Sequence, residues 1–288
     1  MLQSHFGERM RVEESGKIIK SRNIVIGDPD SAEIIFTAHY DTCARLPFPN
    51  FITPMNMLVY ILYQLAITVL MFIPPFLLSV LAAAISRSVV LTELALIITL
   101  AVEVWLLLCG PENPHTANDN TSGVVTVLTL ADEIFENNLF DKCAFVLFDN
   151  EELGLFGSAG FAQKHPGVRK DGFIVNFDCV SDGDDILFLP KEGRSTAGRK
   201  TTDYIEKNAL KILADYGKAP VITKKALSPS DQMAFKNSIA VAALKKSRSG
   251  VLYMNRIHTQ RDTVFDDRNI DALVKLFSDI TLFHEFHE

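Results

Sequence analysis

Apolar and polar positions follow two different periods along this chain. Short runs rich in β-formers read as strands: Asn23 to Gly27, Glu33 to Ala38, Cys143 to Phe148, Gly172 to Phe177, Ile186 to Leu189, Val221 to Thr223, Ile239 to Leu244 and Val251 to Met254. The first two flank Asp28-Pro29-Asp30-Ser31, a segment with strong turn chemistry. Helical periodicity appears from Val124 to Asn137, where Val124, Val127, Leu128, Ala131, Ile134 and Phe135 share a face, with Thr121 or Ser122 as the expected cap. A short helix is predicted through Phe161, and longer ones over Thr201 to Tyr216 and Asn269 to Phe286. Residues 1–22 are polar and read as a ragged helix or a tail. Strands alternating with helices predict an α/β fold: a mostly parallel, mixed central sheet with helices on both faces.

One stretch breaks this pattern. Leu46 to Ser86 holds no charged residue, and Met57 to Ile85 is almost wholly apolar. That is long enough to cross a bilayer, for which about 20 residues suffice. Pro74-Pro75 predicts a kink. After Ser86-Arg87-Ser88, a second apolar span runs from Val89 to Leu108, interrupted by Glu93 and Glu103. Trp105 lies near its end, where interfacial aromatics are common. An acid at mid-bilayer costs roughly 2.5–3.5 kcal/mol on insertion scales, so Glu103 needs a partner or a proton. The expectation is an inserted apolar helical hairpin, residues 54–109, that meets the lipid bilayer through residues 57–108. A buried helical pair, or a greasy cap over a site, is the competing reading. A hairpin leaves both flanks on one side. Met1 to Arg9 has no apolar h-region, so the expectation is a cell-membrane protein whose soluble part faces the cytoplasm. Arg87 mildly opposes that orientation and Arg45 mildly supports it.

Charge and cysteine usage narrow the picture further. The net charge is −7 and there is no long basic run, so no nucleic-acid partner is expected. Cys43, Cys109, Cys143 and Cys179 have no CxxC spacing and fit free thiols in a reducing compartment.

The candidate chemistry sits where strands end. Glu151 and Glu152 lie just past Cys143 to Phe148, at the edge where open α/β sheets bind ligands. Two adjacent acids repel each other unless one binds a cation and the other moves a proton. His39 and Asp41, Asp178 and His258 follow other strands, and Asp119 sits in the loop opening a helix. Parallel strands would gather these ends on one edge, where two imidazoles and several carboxylates suit one or two Zn²⁺ ions. Asp41, two residues after His39, is placed to orient its imidazole.

Five segments occur in order: His39-Tyr40-Asp41; Ala117-Asn118-Asp119-Asn120-Thr121-Ser122-Gly123; Phe148-Asp149-Asn150-Glu151-Glu152-Leu153-Gly154-Leu155-Phe156-Gly157-Ser158; Asn176-Phe177-Asp178; and His258-Thr259-Gln260-Arg261-Asp262-Thr263. Together they resemble the bimetallic zinc aminopeptidases, the twenty-eighth metallopeptidase family, which also includes glutamate carboxypeptidases and glutaminyl cyclases. The likeness covers the chain from about residue 23 onward, apart from the apolar insertion. It implies a zinc-exopeptidase-like domain made of residues 1–53 and 110–288, binding two Zn²⁺ per chain and hydrolysing peptides. Asp119 would bridge the ions, His39 and Asp178 would complete one site, and Glu152 and His258 the other. Glu151 would be the general base. Asp41 would hold His39, and Asp262 would act similarly near His258. The resemblance also implies a cis peptide at Asp119–Asn120.

The resemblance makes an aminopeptidase the first expectation. Glutaminyl cyclase or carboxypeptidase activity is the alternative on the same scaffold, and a non-catalytic membrane scaffold or receptor the alternative of a different class. The chain departs from the family at Ser230-Asp231-Gln232, where a Ser-Asp-His sequence is common. Tyr253 is a weak candidate for stabilising an oxyanion. His5 and His165 read as surface residues, His115 as a solvated loop histidine, and His284 with His287 as a solvated helix end.

Overall fold

The computed structural model describes residues 6–137, 142–191, 193 and 195–286, with side chains through residue 282. His5 and His287, and the side chain of His284, lie outside the described residues. The strands are β1 (Met10–Ser15), β2 (Ser21–Ile26), β3 (Ile34–His39), β4 (Cys143–Phe148), β5 (Ile174–Phe177), β6 (Asp185–Lys191), β7 (Ala219–Ile222), β8 (Ser238–Lys246) and β9 (Leu252–Tyr253). The helices are α1 (Met57–Met71), α2 (Ile73–Ser86), α3 (Val89–Cys109), α4 (Gly123–Glu136), α5 (Phe156–Lys164), α6 (Pro166–Lys170), α7 (Thr196–Asp215) and α8 (Asp267–Phe286).

The sheet runs β1-β2-β4-β3-β5-β8-β6-β7, with β9 added to β8. Its centre, β4-β3-β5-β8, is parallel, while β1, β2 and β6 make antiparallel pairings. This is the mixed α/β arrangement that the strand–helix alternation predicts. The central strands read as unbroken apolar runs because both faces are covered. Along β3, Ile34, Phe36 and Ala38 enter one core and Ile35 the other; along β4, Phe145 and Leu147 part from Ala144, Val146 and Phe148 in the same way. In the larger core Phe36 stacks on Phe145 with centroids 5.6 Å apart, and Phe277 of α8 meets Phe36 and Phe177 edge-on. The second core packs Phe148 against Phe161 and Phe235.

Three local expectations need correction. Residues 10–15 are neither helix nor tail but an edge strand, β1. Its Arg11, Glu13 and Glu14 mask the period of two, and such charges are how sheet edges avoid further pairing. The start of α4 is capped by neither Thr121 nor Ser122: Asn120 Oδ1 accepts from Gly123 N at 3.0 Å, while Ser122 Oγ donates to Asn118 O. His165 is buried rather than surface, with Nδ1 2.8 Å from Asp30 Oδ2 and Nε2 2.9 Å from Glu13 Oε2.

The apolar stretch forms three helices. The break falls at Phe72, just before Pro74 and Pro75 in the first turn of α2. Met57–Ser86 and Val89–Cys109 are each long and apolar enough to cross a membrane. Neither is a core helix, since Leu58, Ile85 and Val89 are 69, 77 and 72% exposed. At the base of this segment the outgoing and returning chain pair antiparallel: Arg45 N donates to Pro111 O at 2.9 Å and Asn113 N to Cys43 O at 3.0 Å, around the Ala44–Glu112 bridge.

Candidate metal centre

The parallel registers bring the strand ends together. His39, the last residue of β3, lies beside Phe148 of β4, and Thr37 lies beside Asn176 of β5. The loops leaving those strands therefore put His39, Glu151, Glu152 and Asp178 on one edge. Asp119 joins them from the turn that opens α4. The polar residues around it explain how it is held. Asn118 Oδ1 accepts from Ser181 N and Asp182 N, Asn120 Oδ1 from Cys179 N, and Ser122 Oγ from Val180 N, so this turn is strapped to the loop after β5. A Cβ at Gly123 would come within 2.4 Å of Phe177 O, so the close approach requires glycine there. The Asp119–Asn120 peptide is cis.

Two nests of donors share Asp119. Its Oδ1 lies 3.2 Å from His39 Nε2, which is itself 3.7 Å from Asp178 Oδ1. Its Oδ2 lies 2.9 Å from His258 Nε2, which is 3.3 Å from Glu152 Oε2. Donors about 2.0–2.1 Å from a tetrahedral ion stand about 3.3–3.4 Å apart, so both nests have the dimensions of a cation site. Glu152 Oε1 is buried without a hydrogen-bond partner, as expected of an acceptor waiting for a cation. The residues present fit a pair of metal ions.

Burial raises the Glu152 carboxyl to about 8, with the nearby Asp119 charge adding to it. Burial likewise raises Glu151 well above the usual range, and the Asp178, Asp231 and Glu152 carboxylates add to the rise. Burial alone would lower His258, but its contacts with Asp119 and Glu152 carry it up to about 9. Burial would raise Asp119, and its hydrogen bonds to His258 and His39 hold it well below the carboxylate range instead.

Two further carboxylates position the nests. Asp41 lies 3.4 Å from His39 Nδ1 and accepts from Glu151 N at 3.0 Å and Glu152 N at 3.1 Å. Asp262, expected beside His258, instead accepts from Asn118 N at 2.8 Å and from Asp119 N at 2.9 Å. It therefore holds the shared aspartate rather than His258. Non-glycine residues in the left-handed region include Asn150, Cys179 and His258, all at this edge.

A cavity of about 200 Å³ opens over the nests. Its apolar wall includes Ile52, Leu227, Met254 and Ile257, together with Tyr60 from the first turn of α1. Sequence reading missed Tyr60 because it lies in an apolar run. Tyr253 stacks on Phe51 instead of lining this cavity. Gln232 accepts from Asn176 Nδ2 at 3.0 Å and donates to Ser228 O, so it is bound into the support of β5. A second residue missed is Cys43, whose thiol lies in the Asp119–Glu152–His258 cluster.

No curated protein sequence matches the chain. Among solved structures, a Zn-dependent exopeptidase from Parabacteroides distasonis has a TM-score of 0.55 at 16% identity, over 96% of this chain and 85% of that one. The glutaminyl cyclase of Porphyromonas gingivalis gives 0.54 at 14%, over 98% and 86%. The LapA aminopeptidase of Legionella pneumophila gives 0.53 at 15%, over 98% of this chain, which spans only 60% of the LapA chain. These likenesses establish the fold. A family model, that of peptidase family M28, matches residues 101–281. The matched stretch carries four of the five segments, and His39 with Asp41 lies upstream, beyond the apolar helices. With well over half of its length matched, the chain belongs to peptidase family M28.

Proposed function

We propose that this chain is a membrane-anchored zinc exopeptidase, an aminopeptidase working with two Zn²⁺ per chain. The observation that carries the reading is the division of Asp119, one oxygen in each nest. In this reading His39, Asp119 and Asp178 hold one ion, and Asp119, Glu152 and His258 hold the other. Bound zinc supplies Lewis acidity, polarising a peptide carbonyl and lowering the pKa of water towards about 7. Glu151, beside both nests, is the general base. It takes a proton from the attacking water and returns it to the leaving amine, so its carboxylate is regenerated. Asp41 fixes His39 and the backbone of both glutamates, and so sets where that base stands. The cavity of about 200 Å³ is smaller than the roughly 300–1,000 Å³ of drug-sized pockets, which suits the end of a peptide rather than its middle.

In the same reading, residues 1–53 and 110–288 form the peptidase domain, and 54–109 form a hairpin in the cell membrane with the domain on the cytoplasmic side. The antiparallel pairing of residues 43–45 with 111–113 at its base supports an insertion that leaves and returns at one point. The 21 residues of α3 span about 31 Å, close to the roughly 30 Å of a bilayer core. Replacing residues 57–108 with a short Gly-Ser linker should release a soluble protein; a variant that still sediments with membranes defeats the anchor.

The reaction is tested by elemental analysis together with hydrolysis of aminoacyl, C-terminal and glutaminyl substrates. Two zincs per chain are expected, with release of N-terminal residues that falls about 10²–10⁴-fold in Glu151→Gln while metal is kept. Pyroglutamyl product without aminopeptidase turnover would move the reading to a cyclase. A folded chain that binds no metal would make it a scaffold.

A further inference from the structure

We propose that Cys43 is a further protein donor to the second nest, as a thiolate, so that the two metal positions differ in softness. The inference rests on the metal reading above and assigns a residue that the five segments do not include.

Cys43 lies four residues beyond the end of β3; its thiol is free and the residue is buried, 5% exposed. The donor atoms of Cys43, Asp119, Glu152 and His258 all lie within 4.8 Å of one another. Its backbone is fixed: Cys43 O accepts from Asn113 N, and Ala44 bridges to Glu112. The thiol is therefore carried on the antiparallel pairing at the base of the apolar segment, not on a free loop. The same nest contains Glu152 Oε1, buried without a hydrogen-bond partner and so able to accept from a cation held there. Among the described residues, the donors grouped in the other nest, His39, Asp119 and Asp178, are nitrogen and oxygen, and the Cys179 thiol lies against Asp178 without joining that group. Ligation breaks the S–H bond, releases that proton to solvent and places a sulfur electron pair on the ion. Thiolate favours zinc, cobalt and cadmium over magnesium, calcium and manganese, so the second position should be the more selective of the two.

The test uses the full chain in detergent, stripped of metal and titrated with Co²⁺, with bound cobalt measured by elemental analysis. An intense near-ultraviolet thiolate-to-cobalt absorption should grow with one of two equivalents. It should be absent in Cys43→Ser and kept in Cys179→Ser. Cys43→Ser should also hold one ion about 10-fold or more weakly in chelator competition. Cadmium NMR of the unsubstituted chain provides a readout that needs no variant: one of two resonances should carry the downfield shift of sulfur ligation. Two bound ions with neither signal, or an absorption that survives in Cys43→Ser, overturns the assignment and leaves the proposed reaction standing. Both signals without aminopeptidase turnover keep Cys43 as a ligand and overturn the reaction. A folded chain that binds no cobalt overturns both.

Discussion

The donor edge of the sheet and the apolar helices hold their shape by opposite means. At the sheet edge polar groups are pinned one by one: Asp41 and Asp262 each take two consecutive backbone N–H groups, and Asn120 ties the start of α4 to the end of β5. In α1, α2 and α3 the side-chain hydrogen bonds are mostly local, such as Thr68 to Gln64 O, Thr92 to Ser88 O and Thr99 to Ala95 O, and the large apolar residues face outward. One region depends on atoms at fixed positions. The other depends on summed hydropathy, which many sequences satisfy equally well.

Substitutions can break that contrast. Asp119→Ala should have the largest effect, emptying both nests because each uses one of its oxygens. Elemental analysis checks this, and one full equivalent retained would mean that the nests are independent. Phe145→Ala, in the larger core, should cost about 3–5 kcal/mol in the unfolding of the α/β fold. Asp262→Asn should weaken metal binding about 10–100-fold, for both ions, without touching either. Loss confined to one ion would show that the Asn118 and Asp119 N–H bonds do not place the shared carboxylate.

A smaller effect is expected at Glu13. Burial raises its carboxyl, but the contact with His165 outweighs this and leaves it below its ordinary 4.5. A folded value below the unfolded one stabilises the fold above about 4.5, and that stability is lost as the pH falls through the folded value. The gap in unfolding midpoint between the wild-type chain and Glu13→Gln should therefore be present at neutral pH and close in acid. A gap that persists in strong acid would point to packing instead. Leu58→Ala, 69% exposed on α1, should change stability in detergent by less than about 0.5 kcal/mol. A change of core size there would mean that α1 is packed like Phe145.

The same contrast explains what could be read in the chain. Buried strands such as β3 and β4 were legible because both their faces are apolar, and His39, Glu151 and Asp178 because they stand at or just past the ends of such strands. The apolar helices were legible from composition alone. Edge strand β1 was hidden by its charges. Cys43 and Tyr60 reach the site only through tertiary contacts, which no spacing encodes, and Asp262 was read beside His258 because the backbone it binds lies more than 140 positions away. Asn118, Asn120 and Ser122 lay in a recognised segment, yet their partners at residues 177–182 are some 60 positions away in sequence.

The place of the apolar segment also has a consequence in time. β3 is the central strand, and its neighbours β4 and β5 come only after the whole apolar segment has been synthesised. More than 100 residues separate the end of β3 from the end of β4, so at 5–20 residues per second β3 waits on the order of 5–20 s for its first parallel neighbour. His39 is made before the apolar helices, and Asp119, Glu152, Asp178 and His258 after them. The site therefore cannot assemble until synthesis has passed those helices and reached His258.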